Sequence, residues 1–274
     1  MATPEDARRK AATTYDAASD AYDHPANSFW DRFGRKTIER LSLSPGARVL
    51  DVCCGSGASA IPAAEAVGPR GSVLGVDLAA NLLALARGKG KTQNLGNVEF
   101  RTGDMLELGL PAESFDAVVC VFGIFFVPDM AAAVRELWRY VRPGGRLALT
   151  TWGPRLFEPV NSVFWGAVAQ HRPELHRAFN PWDRITEPDA LRALLAEGGV
   201  PVTAAEVVAE EHRHPLASND DWWALVLGSG YRGTFEQLAP AERAAVRETC
   251  LAFVRDEGVF AVEANVVYAV ALKE

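Results

Sequence analysis

The chain is short of positive charge: 28 Lys and Arg stand against 35 Asp and Glu, a formal net charge of −7, and no basic run or stripe breaks the pattern. A nucleic-acid backbone needs a cationic footprint, so a nucleic-acid partner is disfavoured and small molecules remain. Long apolar runs are missing too. No stretch approaches the roughly 18 uninterrupted apolar residues of a membrane helix, so no membrane partner is expected. The first residues, Met1-Ala2-Thr3-Pro4-Glu5-Asp6-Ala7, carry acid where a secretory signal would carry base. A cytoplasmic location is the expectation. Cysteine is scarce: Cys53, Cys54, Cys120 and Cys250 sit inside apolar patterns without metal-ligand spacing, and a vicinal pair is poorly placed to bridge itself. They read as small buried hydrophobes, and no metal is expected.

With 274 residues, 49% of them hydrophobic and 23% charged, the chain can bury a substantial core. Its organising stretch is Ala47-Arg48-Val49-Leu50-Asp51-Val52-Cys53-Cys54-Gly55-Ser56-Gly57. An apolar run of β-formers there ends in a glycine turn, and an alanine-rich helical pattern, Ala58 to Ala66, comes directly after it. A strand buried on both faces of a parallel sheet shows such a continuous run, and its carboxyl end is where open α/β sheets bind ligands. Gly55 and Gly57 let the backbone turn and let a ligand approach. The full G-x-G-x-x-G triplet is absent, as is the Lys-Ser/Thr of a phosphate loop. Taken alone, the turn suits either a cofactor or an ordinary β-to-α connection.

The segments on either side narrow the choice. Residues 5–41 form two helical segments broken at Pro25, with Tyr15-Asp16 and Tyr22-Asp23 seven apart. Tyr15, Tyr22 and Trp30 either pack a helical layer onto the sheet or cap a ligand. A second strand, Gly71 to Leu78, ends in Asp77, whose carboxylate can accept two ribose hydroxyls or cap the next helix. A third, Asn97 to Thr102, delivers Gly103-Asp104-Met105. A fourth, Phe115 to Phe122, leads to Phe125-Phe126. A helix spans about 129–141, Arg142-Pro143-Gly144-Gly145 stops it, and Arg146 to Trp152 is the fifth strand. Five strand-helix alternations make a parallel sheet with helices on both faces the economical fold.

Taken together, these residues resemble the class I S-adenosylmethionine-dependent methyltransferases, well over residues 10–152 and more loosely beyond. The Asp51 to Gly57 loop, Asp77, Gly103-Asp104-Met105, Phe115-Asp116 and Arg142-Pro143-Gly144-Gly145 correspond in order to family landmarks. The resemblance implies a Rossmann-like α/β fold: a seven-stranded, mostly parallel sheet whose last strand, about 264–271, runs antiparallel between the fifth and sixth. It implies one methyltransferase domain over 1–274, with an N-terminal helical cap (1–46), a cofactor-binding core (47–152), and a C-terminal part (153–274) carrying the remaining strands and a helical lid built from 153–185 and 212–258. It implies S-adenosyl-L-methionine as cofactor, held by Asp51, Cys53, Gly55, Gly57, Asp77, Leu78, Asp104, Met105 and Phe122, with Asp104 on the adenine amine. Cys53 stands where the family often has glycine, which alters the loop's contact with the methionine part.

Val121-Phe122-Gly123-Ile124-Phe125-Phe126-Val127-Pro128-Asp129 is similar to the branch that methylates quinone precursors, and the Asn/Asp-Pro-Pro-Tyr signature of amine and amide methylation is missing. The implied reaction is methyl transfer to oxygen or carbon of a moderately apolar small molecule. The alternatives are a non-methylating enzyme such as a cyclase on the same scaffold, and a non-catalytic regulator. Alignment of two held reactants can lower a barrier by roughly 7–11 kcal/mol, so positioning can carry most of the catalysis. His171 and His176, in the expected lid, are the candidate general bases, although Asp or Glu could serve and a carbon acceptor needs none. His212 and His214 read as surface or edge residues. Tyr22, Phe125, Phe126 and Trp152 are candidate substrate-lining residues, the last at a strand's ligand end. Oligomeric state is not legible.

Overall fold

The computed structural model describes residues 4–177 and 179–274. Residues 1–3 of the expected cap and residue 178 of the expected lid lie outside the described residues.

Two helices open the chain, α1 (Pro4–Tyr22) and α2 (Phe29–Leu41). The alternating core comes next: β1 (Arg48–Val52), α3 (Ala60–Val67), β2 (Ser72–Asp77), α4 (Ala80–Thr92), β3 (Val98–Thr102), β4 (Phe115–Val121), α5 (Met130–Tyr140) and β5 (Val141–Trp152). Beyond it lie α6 (Val160–His171), α7 (Pro188–Glu197), β6 (Ala205–Glu210), β7 (Arg213–Pro215), α8 (Asn219–Leu227), α9 (Arg232–Phe235), α10 (Pro240–Asp256), β8 (Ala261–Glu263) and β9 (Val266–Leu272).

Seven strands form one sheet in the order β3-β2-β1-β4-β5-β9-β6. β9 runs antiparallel to both its neighbours, and the remaining pairings are parallel. This is the Rossmann-like sheet that the sequence implies. The apolar run of β1 serves two cores at once. Leu50 and Val52 join a cluster with Val118, Val134 and Leu137, while Val49 joins one with Ile61, Ala63 and Ala148 on the other face. The chain adds β2 and β3 on one side of β1 and β4 and β5 on the other, and the crevice beyond the carboxyl ends of strands at such a switch point is where doubly wound sheets bind ligands.

Three readings of the sequence are corrected. Arg142-Pro143-Gly144-Gly145 does not separate helix from strand: β5 begins at Val141, directly after α5, and contains all four residues. The register shifts between the Phe115–Val141 and Ala117–Arg146 pairs, and Gly144, at φ 77°, donates its N–H to the Lys273 carbonyl at 2.7 Å. A bulge there absorbs the proline and glycines that elsewhere end an element. In sequence, Val202 to Glu210 reads as one strand, but residues 202–204 form a 3₁₀ turn and β6 starts at Ala205. The third correction concerns His214, which is 2% exposed rather than a surface residue. It lies on β7, which pairs with β8 in a two-stranded sheet, and its Nε2 contacts the Ala26 carbonyl at 2.7 Å. His212 is half-buried, and its backbone N–H donates to Asn265 Oδ1.

Candidate functional site

The loop after β1 turns three times through left-handed backbone, at Cys53 (φ 60°), Gly55 (φ 52°) and Gly57 (φ 88°). For a side chain with a Cβ that conformation costs roughly 1–2 kcal/mol, so Cys53 occupies a glycine-like position under strain. A tight neighbour explains what holds it: a Cβ placed on Gly123 would come within 2.8 Å of both the Cys53 and Cys120 sulfurs. Gly55 donates its N–H to Asp77 Oδ2 at 2.8 Å, and Ala79 donates to Oδ1 at 2.8 Å. One carboxylate therefore fixes the glycine loop and also the turn that leads into α4, whose N-cap is Ala79. Burial raises the Asp77 pKa, although both N–H groups favour its charged form.

Asp51 lies behind this loop, fully buried. Ser59 Oγ donates to its Oδ2 at 2.7 Å, while Oδ1 is buried without a hydrogen-bond partner. Desolvation pushes its pKa up to about 7. Asp104 Oδ1 accepts from the Leu106 N–H at 2.9 Å, which fixes the turn after β3.

A cavity collects these groups. Cys53, Gly55, Asp77, Leu78, Asp104, Met105 and Phe122 line it, together with Tyr22, while Asp51 and Gly57 do not reach its surface. Leu78 is an apolar side chain left 36% exposed there, suited to the flat face of a base. The cap closes the opposite side. Tyr22 stacks on Trp30, ring centroids 5.1 Å apart and planes within 4°, and its hydroxyl would be 3.2 Å from a Cβ on Gly55. Asp23, the next residue, accepts from Ser56 Oγ and from Lys89 Nζ, both at 2.7 Å, which ties the cap to the loop. Tyr15 and Tyr22 thus both pack within the helical layer and line this cavity.

A second cavity, of about 590 Å³, adjoins the first and shares Ala11, Tyr15, Trp30, Phe126 and Val127 with it. Pockets of this size hold small molecules of several rings. Phe125, Phe126 and Trp152 line it, and Trp152 stacks on Phe122 at 3.9 Å with the planes 13° apart. Tyr22 belongs to the first cavity only. His171 and His176 are exposed and line neither cavity; His176 rests its ring 6.2 Å from that of Trp165. The stretch expected to form a lid contributes lining groups that sequence reasoning missed, namely Arg177, Ser229 and Tyr231. They sit in irregular segments, at a helix end and in short turns, where no periodicity marks a shared face.

The other landmarks are structural. Asp116 accepts the Arg48 N–H at 2.7 Å and pairs with Arg142, joining β1, β4 and β5 at the edge away from the cavities.

Residues 49–145 match a family model described as a methyltransferase domain. The chain is 37% identical over 139 residues to a demethylmenaquinone methyltransferase of Listeria welshimeri, covering 51% of this chain and 58% of that protein. It therefore spans less than two thirds of that relative's length. It is 32% identical over 199 residues to the aklanonic acid methyltransferase DauC of Streptomyces sp. strain C5, covering 68% of this chain and 90% of that protein. In fold it is similar to an S-adenosylmethionine-dependent methyltransferase from Aquifex aeolicus, with a TM-score of 0.53, 20% identity, and coverage of 68% of this chain and 88% of that one. The chain belongs to the S-adenosylmethionine-dependent methyltransferase family.

Proposed function

We propose that this protein transfers the methyl group of S-adenosylmethionine to an oxygen or carbon atom of a moderately apolar small molecule. The observation that carries this reading is the wall of five residues common to the two cavities, because methyl transfer requires donor and acceptor side by side. The names of the relatives agree, since demethylmenaquinone and aklanonic acid are both small molecules.

In this reading the cofactor supplies a methyl group activated on a sulfonium. Asp77 holds the ribose hydroxyls and Asp104 the adenine edge, with Leu78, Met105 and Phe122 as apolar walls. The Cys53–Gly57 loop approaches the methionine part. Asp51 acts from behind it, its unpartnered Oδ1 suited to a cationic amino group reached through the loop. The fit rests on these donors and acceptors: an orphaned buried carboxylate oxygen and a second carboxylate with lone pairs to spare. Tyr15, Tyr22 and Trp30 exclude water. His171 and His176 have no part in this proposal, because neither lines the acceptor cavity. Cap, core and lid act as one domain. Four free cysteines, and no described helix long and apolar enough to cross a membrane, support a cytoplasmic setting.

Calorimetric titration with S-adenosylmethionine and its demethylated product tests the cofactor, and product mass tests the reaction. Micromolar binding and the gain of one methyl are expected. Binding by neither ligand, or turnover to a product of unchanged mass, overturns the reading.

A further inference from the structure

The lining of the acceptor cavity is lopsided in charge. Among the described residues it contains no carboxylate and no histidine, but it does contain Arg177 and, at an exposed rim position, Arg184. Arg177 is half-buried and stands over the face of Trp165 at 5.8 Å. It forms no ion pair with a described acidic residue, whereas many of the chain's other arginines, Arg32, Arg142 and Arg232 among them, have a carboxylate partner. A guanidinium drawn out of water beside aromatic rings with no counter-charge is costly unless a ligand supplies one. Burial accordingly pulls its pKa down, with the neighbouring Tyr15 and Tyr231 hydroxyls opposing that shift.

Two further polar atoms of the same lining are buried without partners, Ser229 Oγ and Trp30 Nε1. Tyr231, by contrast, is already committed, its hydroxyl donating to Asn161 Oδ1 at 2.6 Å. Among the described residues the lining therefore holds two arginines without an ion-pair partner, half-buried Arg177 and exposed Arg184, together with two buried polar side chains without a hydrogen-bond partner, a box of aromatic rings, and no carboxylate or histidine.

We propose that the acceptor is a planar aromatic acid, and that Arg177 binds its carboxylate while the ring system lies among Phe125, Trp152 and Trp182. Planar, forked guanidinium donors match a carboxylate's two oxygens, and such charge-assisted pairs are among the strongest hydrogen bonds. Ser229 and Trp30 then serve a hydroxyl or carbonyl elsewhere on the ring system. This inference rests on the methyl-transfer reading for the identity of the neighbouring cavity, but its test does not.

The probes are 2-naphthoate and 2-naphthamide, equal in shape and different in charge, titrated by tryptophan fluorescence into the full chain with and without saturating S-adenosylhomocysteine. The wild-type protein is expected to bind the acid about 10–100-fold more tightly than the amide, the scale of hydrogen bonds to charged groups. Arg177→Met should abolish the preference by weakening the acid alone, and Arg177→Lys should retain part of it. Thermal melting of each variant separates loss of the anchor from loss of the fold. Equal affinity for acid and amide, binding of neither probe, or a preference that survives in folded Arg177→Met overturns the proposal. S-adenosylhomocysteine binding, measured in the same samples, reports on the methyl-transfer reading separately.

Discussion

Asp77 Oδ2 accepts the Gly55 N–H at 2.8 Å, so the end of β2 holds the loop that ends β1. Its other oxygen accepts from Ala79, and one side chain thus sets the positions of two adjoining segments of the cofactor cavity. Of the two duties that the sequence leaves as alternatives, Asp77 is not the helix N-cap, which is Ala79; it lines the first cavity while holding the turn before α4.

Replacing Asp77 by Ala removes a charged acceptor from ribose hydroxyls and releases the Gly55 N–H. Cofactor affinity should fall by about 1.5–3 kcal/mol, roughly 10–150-fold, and Asp77→Asn should fall between the two proteins. Calorimetry measures this directly. An unchanged dissociation constant in Asp77→Ala would remove the residue from the site.

Gly123 matters for a different reason. A methyl group there would sit 2.5 Å from Cys53 Cβ and 2.8 Å from the Cys53 and Cys120 sulfurs. Gly123→Ala should cost about 1–3 kcal/mol through overpacking, seen as a lower melting temperature. Adding Cys53→Gly removes two of the three close atoms and suits the positive φ, so the double variant should recover part of the loss. Strictly additive effects in this cycle would show that the two residues do not clash.

The chain's alternating apolar runs made the sheet legible, because β1 and β4 bury both faces and leave a continuous hydrophobic signature. Asp77 was legible because it closes an apolar strand, and Asp104 because it follows the next strand by two residues. The lid was not. Arg177 and Ser229 come to line one cavity only through tertiary packing of turns, and the burial of His214 depends on β7 and β8, strands of three residues each, too short to show a period. Val141 to Gly145 misled for the opposite reason: proline and glycine mark a break in isolation, but here the register against β4 shifts to take them as a bulge, and Lys273, just past β9, bonds the Gly144 N–H and the Gly145 carbonyl.

The histidines yield a prediction of little change. His171 and His176 are exposed and line neither cavity, so His171→Ala and His176→Ala should each keep turnover within about twofold of wild type, the small effect of surface substitutions away from a site. Steady-state kinetics on the identified acceptor, with its pH profile, checks this. A loss of tenfold or more in kcat that tracks a single ionisation would restore the substituted histidine as a base.

Asp51 links the site to stability. Desolvation moves its pKa from an ordinary 3.8 to about 7, outweighing the Ser59 hydrogen bond, so the folded protein holds a proton that the unfolded chain has released. The stability gained by binding that proton is fully present below the unfolded value and is lost as pH rises through about 7. Asn at this position has no proton to lose. The stability of the ligand-free wild type relative to Asp51→Asn should therefore fall by an amount on the order of 2 kcal/mol between about pH 5 and pH 8. Denaturant melts of both proteins across that range measure it, and taking the difference cancels the carboxylates they share. Parallel curves would mean that Asp51 titrates alike in folded and unfolded chains. If the ionised carboxylate also attracts the cofactor's amino group, S-adenosylmethionine should bind more tightly over the same rise in pH, and Asp51→Asn should lose that dependence while remaining folded.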